Sequence, residues 1–173
     1  MISYKCVWEY WAKKPFLRHS AESVQAVLNR VKCPMLLVPE RQEIEDFKCM
    51  VHITDLRYCK LSLLNYLVEL ATPYQASLLL AHMPMSGLPS LETKEALDIF
   101  NNEISSHLRY DKLFFDQIKE KNLEKVYDVL AYGMNTGLLA VVNHRFHLED
   151  IVSQYQIYTL PTHITIPLLV FPN

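Results

Sequence analysis

The chain has 173 residues, of which 50% are apolar, enough to form the core of one domain of ordinary size with a short additional segment. Its 17 basic and 19 acidic residues give a net charge of −2, which argues against the strongly basic surface of a nucleic-acid-binding protein. No apolar run approaches the roughly 20 residues of a membrane-spanning helix, and the N-terminus lacks the apolar stretch of a signal peptide, so we expect a cytoplasmic protein that does not bind membranes.

Two elements are predicted in the N-terminal part of the chain. From Ser20 to Val31, a serine that can cap a helix precedes apolar residues spaced three and four apart, which is the pattern of an amphipathic helix. The segment Pro34-Met-Leu-Leu-Val-Pro39 predicts a short buried strand between two prolines. Residues 41–46 are mostly charged and predict a linker.

The remainder of the chain alternates between strands and helices. An apolar strand, Cys49–Ile53, precedes a leucine-rich helix, Tyr58–Ala71, and a second strand, Ala76–His82, in the order of a βαβ unit. Further strands are predicted at Leu113–Ile118, Leu138–Val142 and Pro167–Pro172, and further helices at Leu91–Leu108, Leu123–Tyr132 and His147–Leu160. Nearly continuous apolar strands separated by helices indicate an α/β fold with a doubly wound parallel sheet that is buried on both faces.

The residue patterns that usually carry chemistry are sparse. The cysteines, at positions 6, 33, 49 and 59, show no C-x-x-C spacing, so we expect reduced thiols. Only three glycines occur, too few for a Walker loop or a dinucleotide fingerprint. The chain has no nucleophile elbow, and the pair His144 and His147 lacks a matching cysteine or carboxylate spacing. We therefore expect neither an enzyme active site nor a metal site.

One internal repeat bears on the domain organisation. Pro34-Met-Leu-Leu-Val-Pro39 and Pro167-Leu-Leu-Val-Phe-Pro172 align position by position, and each follows a segment that is predicted to be helical. Their offset is about one domain length, so residues 1–40 are interpreted as the closing helix and strand of a preceding copy.

Residues 47–172 resemble a universal stress protein domain. The resemblance is carried by Val51-His-Ile-Thr-Asp55 with the helix after it, Ala76-Ser-Leu-Leu-Leu-Ala-His82, the strand Leu138–Val142 and the closing Ile166-Pro-Leu-Leu-Val-Phe171. It implies a five-stranded parallel sheet of order 3-2-1-4-5, Rossmann-like as in the adenine nucleotide alpha hydrolases, that pairs or dimerises through strand five. The whole chain resembles a tandem stress protein with a vestigial first domain (1–40), a linker (41–46) and one domain, 47–173.

The resemblance also implies where a ligand would lie. In the family, an aspartate after strand one holds the adenosine part of ATP, and a glycine-rich motif after strand four surrounds the phosphates. Asp55 matches the aspartate, but Asn143-His-Arg-Phe146 stands where the first glycines belong, and no glycine follows Gly137. Because side chains at those positions keep the backbone away from phosphate, we expect no ATP or AMP cofactor bound in the family manner.

We therefore predict a non-enzymatic module that acts in a stress response through dimerisation or other protein partners. The predicted homodimer uses the last strand and the N-terminal segment, with these interface residues: Met35, Leu36, Leu37, Val38, Leu168, Leu169, Val170 and Phe171. The vestigial strand is expected to lie antiparallel beside the last strand, because an apolar strand edge must be covered. The alternative is a nucleotide or small-anion sensor with an altered crevice formed by Asp55, His82, Asn143, His144 and Arg145.

Overall fold

A computed structural model describes residues 30, 32–38, 47–84, 87–119, 126, 129–130, 135–142 and 166–172. Within these residues one sheet holds six strands, in the spatial order β1-β6-β5-β2-β3-β4. The strands are β1 (Met35–Leu37), β2 (Cys49–Thr54), β3 (Ser77–His82), β4 (Leu113–Gln117), β5 (Leu138–Val142) and β6 (Leu168–Phe171).

The sheet is mostly parallel, which confirms the predicted α/β class. Strands β2 to β6 are parallel to their neighbours, whereas β1 pairs with β6 in the antiparallel direction. Counted from β2, the parallel strands stand in the order third, second, first, fourth, fifth, and β1 adds a sixth strand beyond the five of a single domain. The chain therefore adds strands first on one side of β2 and then on the other, as in doubly wound sheets.

The first helix begins later than predicted. Leu56–Tyr58 form a separate 3-10 turn, and helix α1 runs from Leu61 to Ala71 rather than from Tyr58. The Asp55 side chain accepts a hydrogen bond from the backbone N–H of Arg57 and so caps the tight turn, while Cys59 and Lys60 are extended. A polar cap directly after the strand thus separates the turn from the helix.

The second helix is also not the uniform helix that the periodicity predicts over Leu91–Leu108. Helix α2 runs from Thr93 to Asp98, because Glu92 still has extended backbone, and π-helical turns continue from Ile99 to Ser105. Phe100, in the π-helical part, stacks on Phe115 of β4 with ring centroids 5.3 Å apart. This segment therefore covers the outer part of one sheet face.

Both faces of the sheet are apolar. On one face Met50, Leu78 and Leu80 are fully buried and belong to the same core cluster as Leu64 and Leu67 of α1. On the other face a second cluster contains these buried residues of the strands: Val51, Ile53, Leu79, Ala81, Leu139, Val141, Leu168 and Val170. Burial on both faces explains why the strands read as continuous apolar runs rather than as alternating ones.

Edge strand β4 has part of its outward backbone groups occupied by local hydrogen bonds. The amide of Ile118 donates to His82, which fixes the alternation along β4 so that Leu113, Phe115 and Gln117 direct their backbone groups away from β3. The Leu113 amide donates to the Tyr110 carbonyl at 3.3 Å, and the Gln117 amide donates to Oδ1 of Asp116 at 2.7 Å. Two outward donors of the β4 edge are therefore already engaged locally.

Several predicted elements lie outside the described residues. These are most of the helix Ser20–Val31, most of the helix Leu123–Tyr132, the helix His147–Leu160, the linker 41–46, and the loop residues Asn143, His144 and Arg145. Among the helices of the described ranges, none has the length and apolar character needed to cross a membrane.

Candidate functional site at the carboxyl ends of β2 and β3

The carboxyl ends of β2 and β3 bring polar side chains together. Thr54, the last residue of β2, is in register with His82, the last residue of β3, and Asp55 follows directly. All three side chains are buried, with Asp55 and His82 both 0% exposed. In a parallel sheet the carboxyl ends of strands share one edge, and this edge is where doubly wound sheets bind ligands. The structure thus brings together Asp55 and His82, two of the predicted site residues.

Asp55 is held by Arg57 from within its own turn. Oδ1 of Asp55 accepts from Nε of Arg57 at 2.8 Å, and Oδ2 accepts from Nη2 at 2.6 Å. Oδ1 also accepts from the Arg57 backbone amide at 3.2 Å. This bidentate pair is the strong, planar form of an arginine–carboxylate contact. Both carboxylate oxygens are therefore engaged by a residue of the same chain.

Arg57 connects this buried carboxylate to the protein surface. Its side chain is 22% exposed, whereas that of Asp55 is fully buried. The hydrogen bond to Asp55 raises the pKa of the guanidinium, opposed by its partial burial and assisted by the negative charge of Asp55. Both members of the pair are thus ionised, and their charges cancel. Sequence reasoning missed Arg57, although its position two residues after an aspartate that ends a strand was a usable signal.

His82 has a polar atom without a partner. Its Nδ1 accepts from the backbone amide of Leu56 at 3.4 Å, whereas its Nε2 has no hydrogen-bond partner among the described residues. Because Nδ1 accepts, Nε2 carries the hydrogen of the neutral ring and is a buried donor without an acceptor. Burial lowers the pKa of His82, opposed by the Asp55 carboxylate and the Thr54 carbonyl and assisted by Arg57. His82 is therefore neutral at pH 7 and offers one hydrogen-bond donor.

Cys59 lies close to this edge of the sheet, where it interacts with the side chain of Thr54. Burial raises its pKa to about 11, opposed by a hydrogen bond with the Thr54 side chain. A thiol with such a pKa carries almost no thiolate at pH 7, and the thiolate is the nucleophilic form. Cys49 and Cys59 are free thiols. Cys59 is consequently an inert packing residue rather than a nucleophile.

A second histidine, His52, lies in the middle of β2. Its Nδ1 is 3.0 Å from the carbonyl oxygen of Ala140 in β5, and its side chain is 1% exposed. Burial lowers the pKa of His52 to about 4 from 6.5, with the Ala140 carbonyl acting in the opposite direction. The ring is neutral, so Nδ1 carries the hydrogen and donates it across the sheet. His52 is therefore part of the core.

The part of the chain that the structure describes contains no group of three or more histidine, cysteine, aspartate or glutamate side chains arranged to hold a metal ion. The other predicted site residues, Asn143, His144 and Arg145, follow β5 and lie outside the described residues. The described part of the site is thus a buried ion pair beside a neutral histidine. It offers one unused donor, Nε2 of His82, and a half-buried guanidinium.

The predicted interface residues occupy β1 and β6 and the residue after β1. Met35, Leu36 and Leu37 pair with Val170, Leu169 and Leu168, and Val38 follows at the end of β1. Phe171 ends β6 and is 6% exposed, with Tyr66 of α1 in an edge-to-face contact at 5.4 Å. The predicted antiparallel pairing of these two segments is thus present, and it is made within one chain.

Comparison with known proteins finds similar solved structures but no similar sequences. No protein-family model matches the sequence, and no curated protein matches it. A solved structure of a protein from the universal stress protein family of Burkholderia pseudomallei is similar over 75% of this chain and 98% of its own, with 16% identity and a TM-score of 0.41. Membership of the universal stress protein family therefore stays a prediction from the sequence.

Proposed function

We propose that the protein is a non-enzymatic α/β module, similar to universal stress proteins, that acts in a stress response through contacts with other protein molecules. The observation that carries this proposal is the state of Asp55. Its carboxylate is 0% exposed and both of its oxygens accept hydrogen bonds from Arg57. The residue that would hold a nucleoside therefore serves as the cap of a turn.

Binding a nucleoside at Asp55 would require this pair to open. Removing Arg57 from the carboxylate leaves a buried charge without its strongest partner, which costs about 1–3 kcal/mol before any ligand contact forms. Together with the missing glycines after Gly137, this cost supports a crevice that does not take ATP or AMP in the family manner. The module then has no cofactor.

Among the described residues of this site we find no activated nucleophile, which supports the non-enzymatic part of the proposal. Cys59, with a pKa of about 11, is protonated at pH 7, and within the described residues Nδ1 of His82 faces the backbone amide of Leu56 rather than a hydroxyl or thiol. A nucleophile needs an adjacent base or a lowered pKa to react at neutral pH. Neither condition is met at the described part of this site.

The proposal is tested by thermal unfolding with and without millimolar ATP, ADP or AMP. A ligand that binds the native state at 100 times its Kd adds about 2.7 kcal/mol of stability, which raises the midpoint by several degrees. We expect no rise for the wild-type protein with any of the three. Asp116→Ala serves as a control for Asp55→Ala, because Asp116 lies near the carboxyl end of β4 but is exposed. A rise that Asp55→Ala abolishes and Asp116→Ala retains would overturn the proposal.

A second candidate function is favoured by one observation, the unpartnered Nε2 of His82. In this alternative the protein is a sensor of a nucleotide or small anion, bound by Asp55, His82 and the loop residues Asn143, His144 and Arg145. A buried donor without an acceptor is rare in proteins, and a bound acceptor oxygen would satisfy it. The oxygen of an ordered water would do so as well.

The two sources of that oxygen are distinguished by extraction and by titration. A nucleotide retained during purification absorbs near 260 nm, and we would extract it by denaturing the wild-type protein. Inorganic phosphate, titrated into the protein, would raise the unfolding midpoint of wild type but not of His82→Phe if the sensor reading holds. No extracted absorbance and no phosphate effect would leave a water as the partner of Nε2 and would remove this candidate.

A further inference from the structure

Two buried histidines are neighbours on the sheet face that α1 covers. His52 of β2 is in register with Leu80 of β3, and Thr54 is in register with His82. The two histidines therefore lie diagonally across the two strands. Their side chains are 1% and 0% exposed. Protonation of either ring places a positive charge in the interior, where a charge without a partner is costly.

The two rings respond differently to a proton. Nδ1 of His52 already carries a hydrogen, which it donates to the Ala140 carbonyl at 3.0 Å, and protonation adds a hydrogen to Nε2 instead. Nδ1 of His82 accepts from the Leu56 amide at 3.4 Å, and protonation puts a hydrogen on this same atom. Two N–H groups then point at each other. His82 therefore loses its contact with Leu56, whereas His52 keeps its contact with Ala140.

The contact that His82 loses joins the end of β3 to a short turn. Leu56 is the first residue of the 3-10 turn that Asp55 caps. Two backbone hydrogen bonds close this turn, from the Tyr58 amide to Asp55 at 2.9 Å and from the Cys59 amide to Leu56 at 3.2 Å. Because the turn has only three residues, an amide that moves away from His82 displaces the whole turn.

The charges that act on His82 come from the turn itself. Within the described residues, the Asp55 carboxylate favours the protonated ring and the Arg57 guanidinium disfavours it. The Thr54 carbonyl also favours the protonated ring, because it offers an acceptor. Burial outweighs these contributions and lowers the pKa of His82.

The other elements around the turn contribute mostly neutral groups. Their polar or titratable residues are His52 of β2, Gln117 of β4, Cys59 and Lys60 before α1, and Glu95 of α2. His52 and Cys59 are neutral at pH 7, Gln117 has no charge, and Lys60 is exposed. The carboxylate of Glu95 acts on Arg57. The proton on His82 is thus opposed chiefly by burial.

Opening of the turn is favoured in acid. In the open form the ring is hydrated and its pKa returns toward 6.5, so the open form binds a proton more readily than the closed form. The form that binds more protons gains population as the pH falls, by up to about tenfold per pH unit for one proton. The closed turn is therefore stable at pH 7 and loses stability below about pH 6.5.

We propose that His82 makes the 3-10 turn Leu56–Tyr58 pH-sensitive: the neutral ring holds the turn against the end of β3, and protonation of the ring opens the turn while the sheet stays folded. Opening exposes the Leu56 side chain, which is 3% exposed in the closed turn, and frees the backbone amide of Cys59. The inference goes beyond the proposed function, because it assigns this edge of the sheet a response to acid that does not depend on a partner.

The thiol of Cys59 reports the opening, because Cys59 follows the turn directly and is half-buried in the closed form. We would replace Cys6, Cys33 and Cys49 by alanine and measure the labelling rate of Cys59 with a pyridyl disulfide reagent. Dividing the rate in urea-unfolded protein by this rate at each pH gives a protection factor and corrects for the thiolate fraction. The protection factor should fall by roughly tenfold between about pH 6.5 and about pH 5.

Two histidine variants separate the latch from the core. In His82→Gln, the side-chain oxygen still accepts from the Leu56 amide but does not titrate, so the protection factor of Cys59 should stay constant over this pH range. In His52→Gln the fall should remain. A fall that persists in His82→Gln, or no fall in the histidine-intact protein, would overturn the proposal.

A second thiol distinguishes opening of the turn from loosening of the whole sheet. Cys49 begins β2, at the opposite end of the strand from the turn, and is also half-buried. In a protein that keeps Cys49 and has alanine at Cys6, Cys33 and Cys59, the protection factor should not change over the same pH range. An equal fall at Cys49 and Cys59 would show that the sheet opens as a unit and would contradict a local response.

NMR on the wild-type protein gives a readout that needs no variant. The Cε1–H resonance of His82 follows protonation of the ring, and hydrogen exchange of the Leu56 amide follows opening of the turn. Protection of the Leu56 amide should be lost with the midpoint at which His82 titrates, while the amide of Leu80 in β3 stays protected. Loss of Leu56 protection at a different midpoint, or together with Leu80, would overturn the proposal.

Discussion

Two buried histidines on the same face of the sheet, His52 and His82, differ in their hydrogen-bond partners. At the centre of the sheet, His52 is 1% exposed and has a carbonyl partner 3.0 Å away in the neighbouring strand. At the carboxyl ends of the strands, His82 lies beside the Asp55–Arg57 ion pair and has an Nε2 atom without a partner. The centre is thus complete within the chain, whereas the carboxyl ends keep an unused donor.

The difference indicates which part of the sheet contributes to stability and which part can bind a ligand. A polar group in the middle of a parallel strand is covered on both faces and must be satisfied internally. At the end of a strand the chain leaves the sheet, so a polar side chain there can bond to solvent or to a ligand. We therefore expect substitutions at the centre of the sheet and at the amino ends of its strands to lower the free energy of unfolding. Substitutions at the carboxyl ends of the strands should lower it less.

The largest expected effect is the pH dependence from His52. Because burial lowers its pKa to about 4 from 6.5, the folded protein binds fewer protons than the unfolded chain between these values, and stability is lost as the pH falls through this window. The loss amounts to about 3 kcal/mol between pH 6.5 and pH 4. Urea unfolding across this range would measure it, and His52→Asn should flatten the curve. His82, whose pKa is also lowered, adds loss of the same sign. An unchanged slope in His52→Asn would contradict the assignment.

The next effect concerns Gly137, at the amino end of β5. A Cβ at this position would overlap the Cβ of Phe47 and lie 3.0 Å from its Cα, so the backbone of one of the two segments must move. We expect Gly137→Ala to lower the free energy of unfolding by about 2–3 kcal/mol. Gly87→Ala is the control: it has a φ of +82° but no atom within 4 Å of the added Cβ, so only backbone strain of about 1 kcal/mol remains. A smaller loss for Gly137→Ala than for Gly87→Ala would show that the amino end is not tightly closed.

A moderate effect is expected for Asp55→Asn. The amide keeps one acceptor for the Arg57 backbone N–H but loses the charge that Arg57 pairs with, and Arg57 is 22% exposed and can turn to water. The free energy of unfolding should fall by about 1–2 kcal/mol. The exposed Asp116, which accepts only a local hydrogen bond from Gln117, gives the control Asp116→Asn, expected within about 0.5 kcal/mol of wild type. Equal losses for both variants would remove the distinction between the two aspartates.

The smallest effect is expected for His82→Leu. This change removes a buried donor that has no acceptor, which is favourable, and also the acceptor of the Leu56 amide, whose hydrogen bond is long at 3.4 Å. The two contributions oppose each other, so we expect a net change within about 1 kcal/mol. His52→Leu, by contrast, should cost about 1–3 kcal/mol because it leaves the Ala140 carbonyl without its donor. Urea unfolding of both variants at pH 7 compares the two sites directly, and a larger loss for His82→Leu would reverse the comparison.

The strands could be predicted from the sequence because burial on both faces makes them apolar throughout. Leu138–Val142 is observed with the bounds that the sequence predicts, and the pairing of Met35–Leu37 with β6 follows from a repeat that is visible in the residues. The helix starts could not be predicted equally well, because they depend on side chains that compete for the backbone. Asp55 caps a 3-10 turn and moves the start of α1 to Leu61.

At the candidate site, the positions of Asp55 and His82 were predictable because they end apolar strands. Their chemical state was not. The pairing of Asp55 with Arg57 depends on the rotamer of a residue two positions away, and the unpartnered Nε2 of His82 depends on which groups happen to surround it. Periodicity carries no information on either property. The expected roles of Asn143, His144 and Arg145 stay predictions.

The hydrogen bonds at the outer edge of β4 have a consequence for assembly. The amides of Leu113 and Gln117 are held by Tyr110 and Asp116, so that edge presents few free donors to another strand. A sheet that could extend at both ends would grow into a fibre as copies added one after another. Here two outward donors of β4 are engaged, and the other end of the sheet is the three-residue strand β1. Both edges of the described sheet therefore offer another strand few backbone groups to pair with.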